Sequence, residues 1–301
     1  MKKYLLWIAV FLFSVYSYSC DICGGATSSF SLGLLPNSKH HIIGLRYISK
    51  TFESRDLHTY KIHSSENFTS SEIFARFKLS NKFQLLSSIP YIYNVRKTNL
   101  EKQTIKGLGD INLLSNYVFV DNADSLTKKV KHTGTIGLGV KLPTGTYNIL
   151  GFTELNMLPG TGSFDYLANV NYSLQYRSVG LQNETSFSYK TENKYLYRFG
   201  NNFSSSQIFF YRWVLNQNLK IIPQIGLNYS HNWKDIKNRK KSEDTFNGGD
   251  ILNAQMNLFI SYKNWGFSSQ IYLPIYQNLN QGYVTQKSTF RLSINYFISK
   301  K

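Results

Sequence analysis

From His41 onward the chain alternates between apolar and polar positions. Over 164–176 the even positions are Phe164, Tyr166, Ala168, Val170, Tyr172, Leu174 and Tyr176. The odd positions between them are Asp165, Leu167, Asn169, Asn171, Ser173 and Gln175. A period of two belongs to a strand whose faces meet different surroundings, because successive side chains point to opposite sides of a sheet. A helix would mix the two sets. Just upstream, Thr133 to Leu142 alternates too, and the loop between the segments opens on Pro143-Thr144-Gly145 and closes on Pro159-Gly160-Thr161-Gly162-Ser163.

Twelve such segments follow one another, at about 41–49, 69–80, 83–95, 107–120, 133–142, 163–176, 180–190, 197–213, 219–233, 250–262, 266–276 and 288–298. Their connections alternate in length. The tight ones fall at Asn81-Lys82, Arg177 to Val179, Leu215 to Asn218 and Lys263 to Trp265. The long ones run over 50–68, 96–106, 143–162, 234–249 and 277–287. Two connections break the pattern: 121–132 is long for a turn, and 191–196 is short for a loop. Short turns at one rim and long loops at the other predict an all-β fold: a single antiparallel transmembrane barrel of about twelve strands, with periplasmic turns and outer loops.

The faces can be assigned strand by strand. Ile73, Ala75, Phe77 and Leu79 form one outward set; Ile111, Leu113, Tyr117 and Phe119 another; Leu252, Ala254, Met256, Leu258 and Ile260 a third. A charge on a lipid face costs about 2–4 kcal/mol at mid-bilayer, so the opposite sets must line a wet or self-paired interior. The candidate lumen-lining residues are Glu72, Arg76, Lys78, Asp110, Asn112, Asn116, Lys141, Asp165, Asn169, Asn171 and Gln175, and the partners of the third set are Asn253, Gln255 and Asn257. A soluble β-sandwich or lipocalin-like barrel would invert these faces. The number and regularity of the strands favour the membrane.

Composition agrees with that choice. The 301 residues include 22 Tyr and 21 Phe, enough for aromatic girdles, but only 6 Pro and 2 Cys. After the N-terminal leader no apolar run is long enough for a transmembrane helix, and only a closed barrel satisfies every backbone group in lipid without helices.

The leader is Met1-Lys2-Lys3, an apolar core from Tyr4 to Val15, and Ser17-Tyr18-Ser19 before Cys20. This is the pattern of a cleaved secretory signal over 1–19, followed by an N-terminal segment over 20–40 and the barrel over 41–301. A lipid anchor on Cys20 is the alternative, but Ser17 stands where such signals usually carry an aliphatic residue. Cys20 and Cys23, spaced C-x-x-C in an oxidising compartment, are expected to form a local disulfide. Zinc capture with His40 or His41 is the competing idea. No histidine directly follows the motif, so haem attachment is not supported.

The net charge is +17, spread over many segments and densest over 234–241. Nucleic acid calls for a clustered basic face. Outer-membrane lipid and anionic glycolipid are therefore the expected partners, with a basic loop that merely solvates itself as the plain alternative, and no cofactor is expected. Gly160-Thr-Gly-Ser163 is no phosphate loop, since no Gly-Lys-Ser/Thr follows; its glycines are expected at positive φ in a turn. Ser230 and His231 are adjacent on a strand and face opposite sides, so they cannot act as nucleophile and base. His58 and His63 lack a carboxylate framework, and no catalytic constellation is found.

Gly107-Leu-Gly-Asp-Ile111, Gly139-Val-Lys-Leu-Pro-Thr-Gly145 and Leu158-Pro-Gly-Thr-Gly-Ser-Phe-Asp165 resemble the outer-membrane barrel family named for the meta-pathway of phenol degradation. Cys20-Asp-Ile-Cys-Gly24, Gly33-Leu-Leu-Pro36 and Gly44-Leu-Arg-Tyr47 resemble a subgroup of it. The resemblance implies a barrel that passes small molecules, aromatic or otherwise apolar ones among them, across the outer membrane of a Gram-negative-type bacterium. The expected function is passive transport. A surface barrel without transport and a barrel lipid hydrolase are the alternatives.

The loop over 143–162 carries Ile149, Leu150, Phe152, Leu155, Met157 and Leu158, which should not stand in water when a lumen can bury them. Pro143, Thr144, Gly145, Phe152, Pro159, Gly160, Thr161, Gly162 and Ser163 are therefore the candidate constriction loop. Packing against neighbouring loops or a partner subunit is the alternative.

Overall fold

The computed structural model describes residues 40–55, 62–123, 129–147, 155–237, 240–241 and 247–298. The leader, the Cys20–Cys23 pair, the segment to residue 39, His58, and Ile149, Leu150 and Phe152 of the loop lie outside the described residues.

Twelve strands close into one antiparallel barrel. They are β1 (His41–Arg55), β2 (Ile62–Lys78), β3 (Phe83–Thr98), β4 (an outer arm Lys102–Leu108 and a main arm Ile111–Asp121), β5 (Val130–Leu142) and β6 (Asp165–Tyr176). Then come β7 (Val179–Tyr189), β8 (Asn202–Tyr211), β9 (Leu219–Asn232), β10 (Gly249–Tyr262), β11 (Trp265–Leu279) and β12 (Val284–Ile298). Each pairs with its neighbours in sequence, and β1 closes on β12 from His41↔Ile298 to Ser54↔Val284. Closure leaves no sheet edge to be satisfied by lipid.

Three connections expected to be long are largely strand. The hairpins β1–β2, β3–β4 and β11–β12 continue past the expected limits to Arg55 and Ile62, Thr98 and Lys102, and Leu279 and Val284. Their outer halves carry mostly polar residues outward and scattered apolar ones inward, such as Phe52, Phe68, Leu279 and Val284, so the apolar period that marked the strands fades although backbone pairing goes on. The segment expected as one strand over 197–213 is broken: Tyr197–Arg198 leaves the barrel to pair with Ile236–Lys237, and the wall resumes at Asn202. Buried Asp235 fixes this departure, accepting the Gly200 N–H at 2.5 Å and the Tyr197 hydroxyl.

Outward positions carry the apolar surface. Leu45, Ile73, Leu138, Ile225 and Met256 are all more than 45 % exposed. Aromatic pairs such as Phe83–Tyr117 and Trp265–Tyr296 girdle the turn rim, with ring centroids 5.4 and 4.9 Å apart. Inside, the lumen carries two apolar clusters among polar side chains. Near the turn rim Ile42, Phe74, Phe210, Ile222, Phe259 and Phe297 meet, contributed by β1, β2, β8, β9, β10 and β12. Near the loop rim Phe52, Phe68, Ile251, Leu279 and Val284 gather around Met157. The inner face, expected from the polar sets to be wet or self-paired, thus also carries apolar patches at both ends.

Candidate functional site

Four neighbouring strands end toward the loop rim on charges that meet inside the barrel. Asp110 stands at the break in β4, Lys141 near the end of β5, Asp165 at the start of β6, and Lys190 just past β7. All four are at most 3 % exposed. Lys141 Nζ lies 3.2 Å from Asp110 and 2.5 Å from Asp165, and Lys190 Nζ lies 3.5 Å from Asp165. Two ammonium groups against two carboxylates make a neutral set, which is what allows charges to stay buried. Lys190 lies beyond its strand; burial, then the Lys141 ammonium, lower it to about 8 against the pull of Asp165.

This network holds the loop between β5 and β6 by both ends. Asp110 Oδ1 accepts the Gly145 N–H at 2.9 Å, while Oδ2 accepts the Thr161 N–H at 3.0 Å and its hydroxyl at 2.7 Å. The Ser163 hydroxyl donates to Asp165 at 2.8 Å. Asn193 donates to the Tyr147 hydroxyl at 2.7 Å and to the Thr161 carbonyl at 3.1 Å. Gly145 and Gly160 lie back to back: a Cβ on Gly145 would fall 2.7 Å from the Gly160 Cα. So Gly160 serves close approach and not a positive φ, whereas Gly162 does sit at φ 66°. Pro143 and Thr144 are exposed at the entry, and Pro159, Gly160, Thr161 and Ser163 are buried at the exit.

From this clasp the loop crosses the lumen. Met157, fully buried in the 3-10 turn Leu155–Met157, packs on Phe52, Phe68, Ile251, Leu279 and Val284. These belong to β1, β2, β10, β11 and β12, the wall opposite the β5–β6 connection. The Asn94 amide donates to the Met157 carbonyl at 3.0 Å and fixes the tip from the side.

Beside the Met157 cluster, and sharing Phe52, Ile251 and Leu279 with it, lies a cavity that opens to solvent. Its wall over β6 to β10 is built of small polar side chains in register. Asn171, Glu184, Ser206, Asn228 and Asn253 form one cross-strand row, and Asn169, Ser186, Ser204 and Ser230 the next. The Asn228 amide donates to both Ser204 and Ser206, at 3.0 and 2.8 Å. Asn169 Oδ1 is buried without a hydrogen-bond partner and lines this space. Across the cavity stand Lys50, Tyr272 and Arg291. Deeper, Arg46 pairs with Glu72 at 3.4 Å and covers the Phe74 ring.

Of the candidate lumen residues, Glu72, Arg76, Asp110, Asn112, Asn116, Lys141, Asp165, Asn169 and Gln175 are buried on the inner face, and Lys78 and Asn171 are half-buried there. They are not one site. Asp110, Lys141 and Asp165 belong to the clasp, Asn169 and Asn171 to the cavity wall, and Arg76, Lys78 and Gln175 lie toward the turn rim. Sequence reasoning passed over Lys190, Glu184 and Asn193. The first two share the inward parity of Gln182, Ser186 and Ser188, which was the signal available for them. Ser230 lines the cavity while His231 pairs with Asp250 at 2.7 Å.

No family model and no curated relative matches the sequence. The fold is similar to that of an outer membrane channel from Pseudomonas putida F1, at TM-score 0.61 and 11 % identity over 86 % of this chain and 96 % of that one. It is also similar to the β domain of the Bordetella autotransporter Brka, at TM-score 0.53 and 8 % identity over 86 % of this chain and 100 % of that one.

Proposed function

We propose that this chain is a passive outer-membrane channel for small hydroxyl-bearing solutes, held closed here by its own inward loop. The observation that carries this reading is the pair of cross-strand rows, mostly amides and hydroxyls, that line the cavity beside the Met157 cluster. Such a wall exchanges hydrogen bonds with a passing sugar or polyol as it would with water, at little net cost. The aromatic or apolar solutes implied by the family resemblance would find apolar contact at the cluster around Met157, at Leu114 and Tyr272 in the cavity, and at the turn-rim cluster. The likeness to an outer membrane channel supports the barrel frame, and the exported leader supports the location, with the strand extensions facing outward.

The test is solute entry into liposomes carrying the purified protein and a variant with residues 147–157 replaced by a Gly-Ser linker. A neutral monosaccharide should enter the variant's liposomes faster than benzoate of similar size. Preference for benzoate would return the reading to aromatic solutes. No flux of either through a folded variant would favour a surface barrel without transport.

A further inference from the structure

Among the described residues, the outward face carries a polar island on neighbouring strands. On β7 and β8, Asn183 stands directly opposite Gln207, and Thr185 opposite Ser205. Their side chains share the outward parity of Leu181, Phe187, Phe203 and Phe209, and Gln207 is exposed. On the flanking strands the outward residues in register are Val170 and Tyr172 of β6, and Leu227 and Tyr229 of β9. Along the same two strands the island is bounded by Phe187↔Phe203 toward the loops and Leu181↔Phe209 toward the turns. It therefore sits at mid-height of the wall, apolar on every side. Elsewhere among the described strands the outward carboxamides, Asn67 and Asn278, stand near the loop rim.

Within the island the Thr185 hydroxyl bonds Asn183 Oδ1 at 3.2 Å and Ser205 Oγ at 3.1 Å. Gln207 forms no side-chain hydrogen bond among the described residues. Hydrocarbon offers a carboxamide no partner, whereas polar side chains on membrane segments serve as contacts between them. A carboxamide also carries both a donor and an acceptor, so an Asn–Gln pair is complementary to itself when turned about a two-fold axis.

We propose that the β7–β8 wall is the interface through which a second copy of this chain docks in the membrane, with Asn183 and Gln207 of each copy bonding those of the other. The inference goes beyond transport and needs only that the barrel stand in a bilayer. Heat-dependent gel mobility and membrane fractionation would test that separately.

The experiment places single cysteines at Ser205, which flanks the carboxamide pair, and, as a control on the opposite wall, at Leu45, in a chain lacking Cys20 and Cys23. Oxidation in native membranes should give a linked dimer with Ser205→Cys and none with Leu45→Cys. Detergent-solubilised protein should have twice the chain mass, and the double variant Asn183→Leu, Gln207→Leu should fall to a single chain while keeping its heat-dependent mobility. A monomeric parent protein, a dimer that survives the double substitution, or linkage at Leu45→Cys equal to that at Ser205→Cys would overturn the proposal. Linkage of Ser205→Cys to another protein instead would assign the island to a different partner and equally refute it.

Discussion

Asp110 Oδ2 and Lys141 Nζ lie 3.2 Å apart with their side chains at most 1 % exposed. The same carboxylate receives Gly145 from the start of the inward loop and Thr161 from its end. One buried charge pair thus ties the strand ends to both ends of the inward loop.

Loss of either partner should weaken both. Removing one member of a buried ion pair leaves an uncompensated charge and costs about 3–5 kcal/mol. Asp110→Asn should lower the temperature at which the barrel loses its compact gel mobility and expose residues 143–163 to protease. The double variant Asp110→Asn, Lys141→Met should recover part of that loss, since neither charge is then stranded. Equal protease resistance in parent and Asp110→Asn would show that the loop is held elsewhere.

The loop tip carries a second prediction. Met157 spans to the wall of β11 and β12, so the proposed closure rests on that apolar contact together with the Asn94 bond to its carbonyl. Met157→Ser removes that contact at a cost of about 2–5 kcal/mol, the range for emptying a core position. Single-channel conductance or open probability should rise, and replacement of residues 147–157 by a Gly-Ser linker should raise it further while the barrel stays heat-modifiable. Unchanged conductance in both folded variants would leave the loop a surface structure.

The barrel was legible because its outward face is apolar over long runs of most strands. The same parity that gives Ala168, Val170 and Tyr172 to one side gives Asn169, Asn171 and Gln175 to the other. The outer halves of the hairpins were not legible, since strand pairing among polar residues such as those around Ser65 and Lys97 leaves no apolar period. Nor were the lumen's apolar clusters, because Phe74 and Phe259 break the polar inner pattern in order to meet across the barrel, a relation that no local window contains. The clasp was half legible. Asp110, Lys141 and Asp165 were singled out as inward charges, but their mutual pairing depends on four strands ending at one level.

A third prediction concerns pH. Lys190 is lowered from 10.5 to about 8 by burial and Lys141, so the folded barrel favours the neutral amine over a pH range where the unfolded chain is still protonated. Between about 8 and 10.5 the unfolded state binds more protons, and stability from this group rises with pH; below 8 the full penalty of the buried ammonium applies. Lys190→Met removes the titration. The difference in unfolding temperature between parent and Lys190→Met should therefore shift in favour of the parent as pH increases from 8 to 10. A constant difference over that range would show that Lys190 keeps an ordinary proton affinity.

The last prediction is the orientation of β6, on which both the channel reading and the assignment of the clasp depend. Asn169 and Gln175 are each 8 % exposed, and Asn169 and Asn171 line the cavity, whereas Val170 and Tyr172 point away from it. Single cysteines at 169, 171 and 175, in a chain lacking Cys20 and Cys23, should react with a small water-soluble thiol reagent in intact membranes. Those at 168, 170 and 172 should react instead with a reagent dissolved in lipid, because the bilayer excludes water from that face. Reaction at 169 and 171 should also quicken when residues 147–157 are replaced by the linker if the loop restricts the lumen as proposed, while 175, nearer the turn rim, should change less. The opposite parity would place the wall inside out and turn the molecule into a water-soluble barrel. Equal labelling at all six positions would mean that β6 is not part of a closed wall.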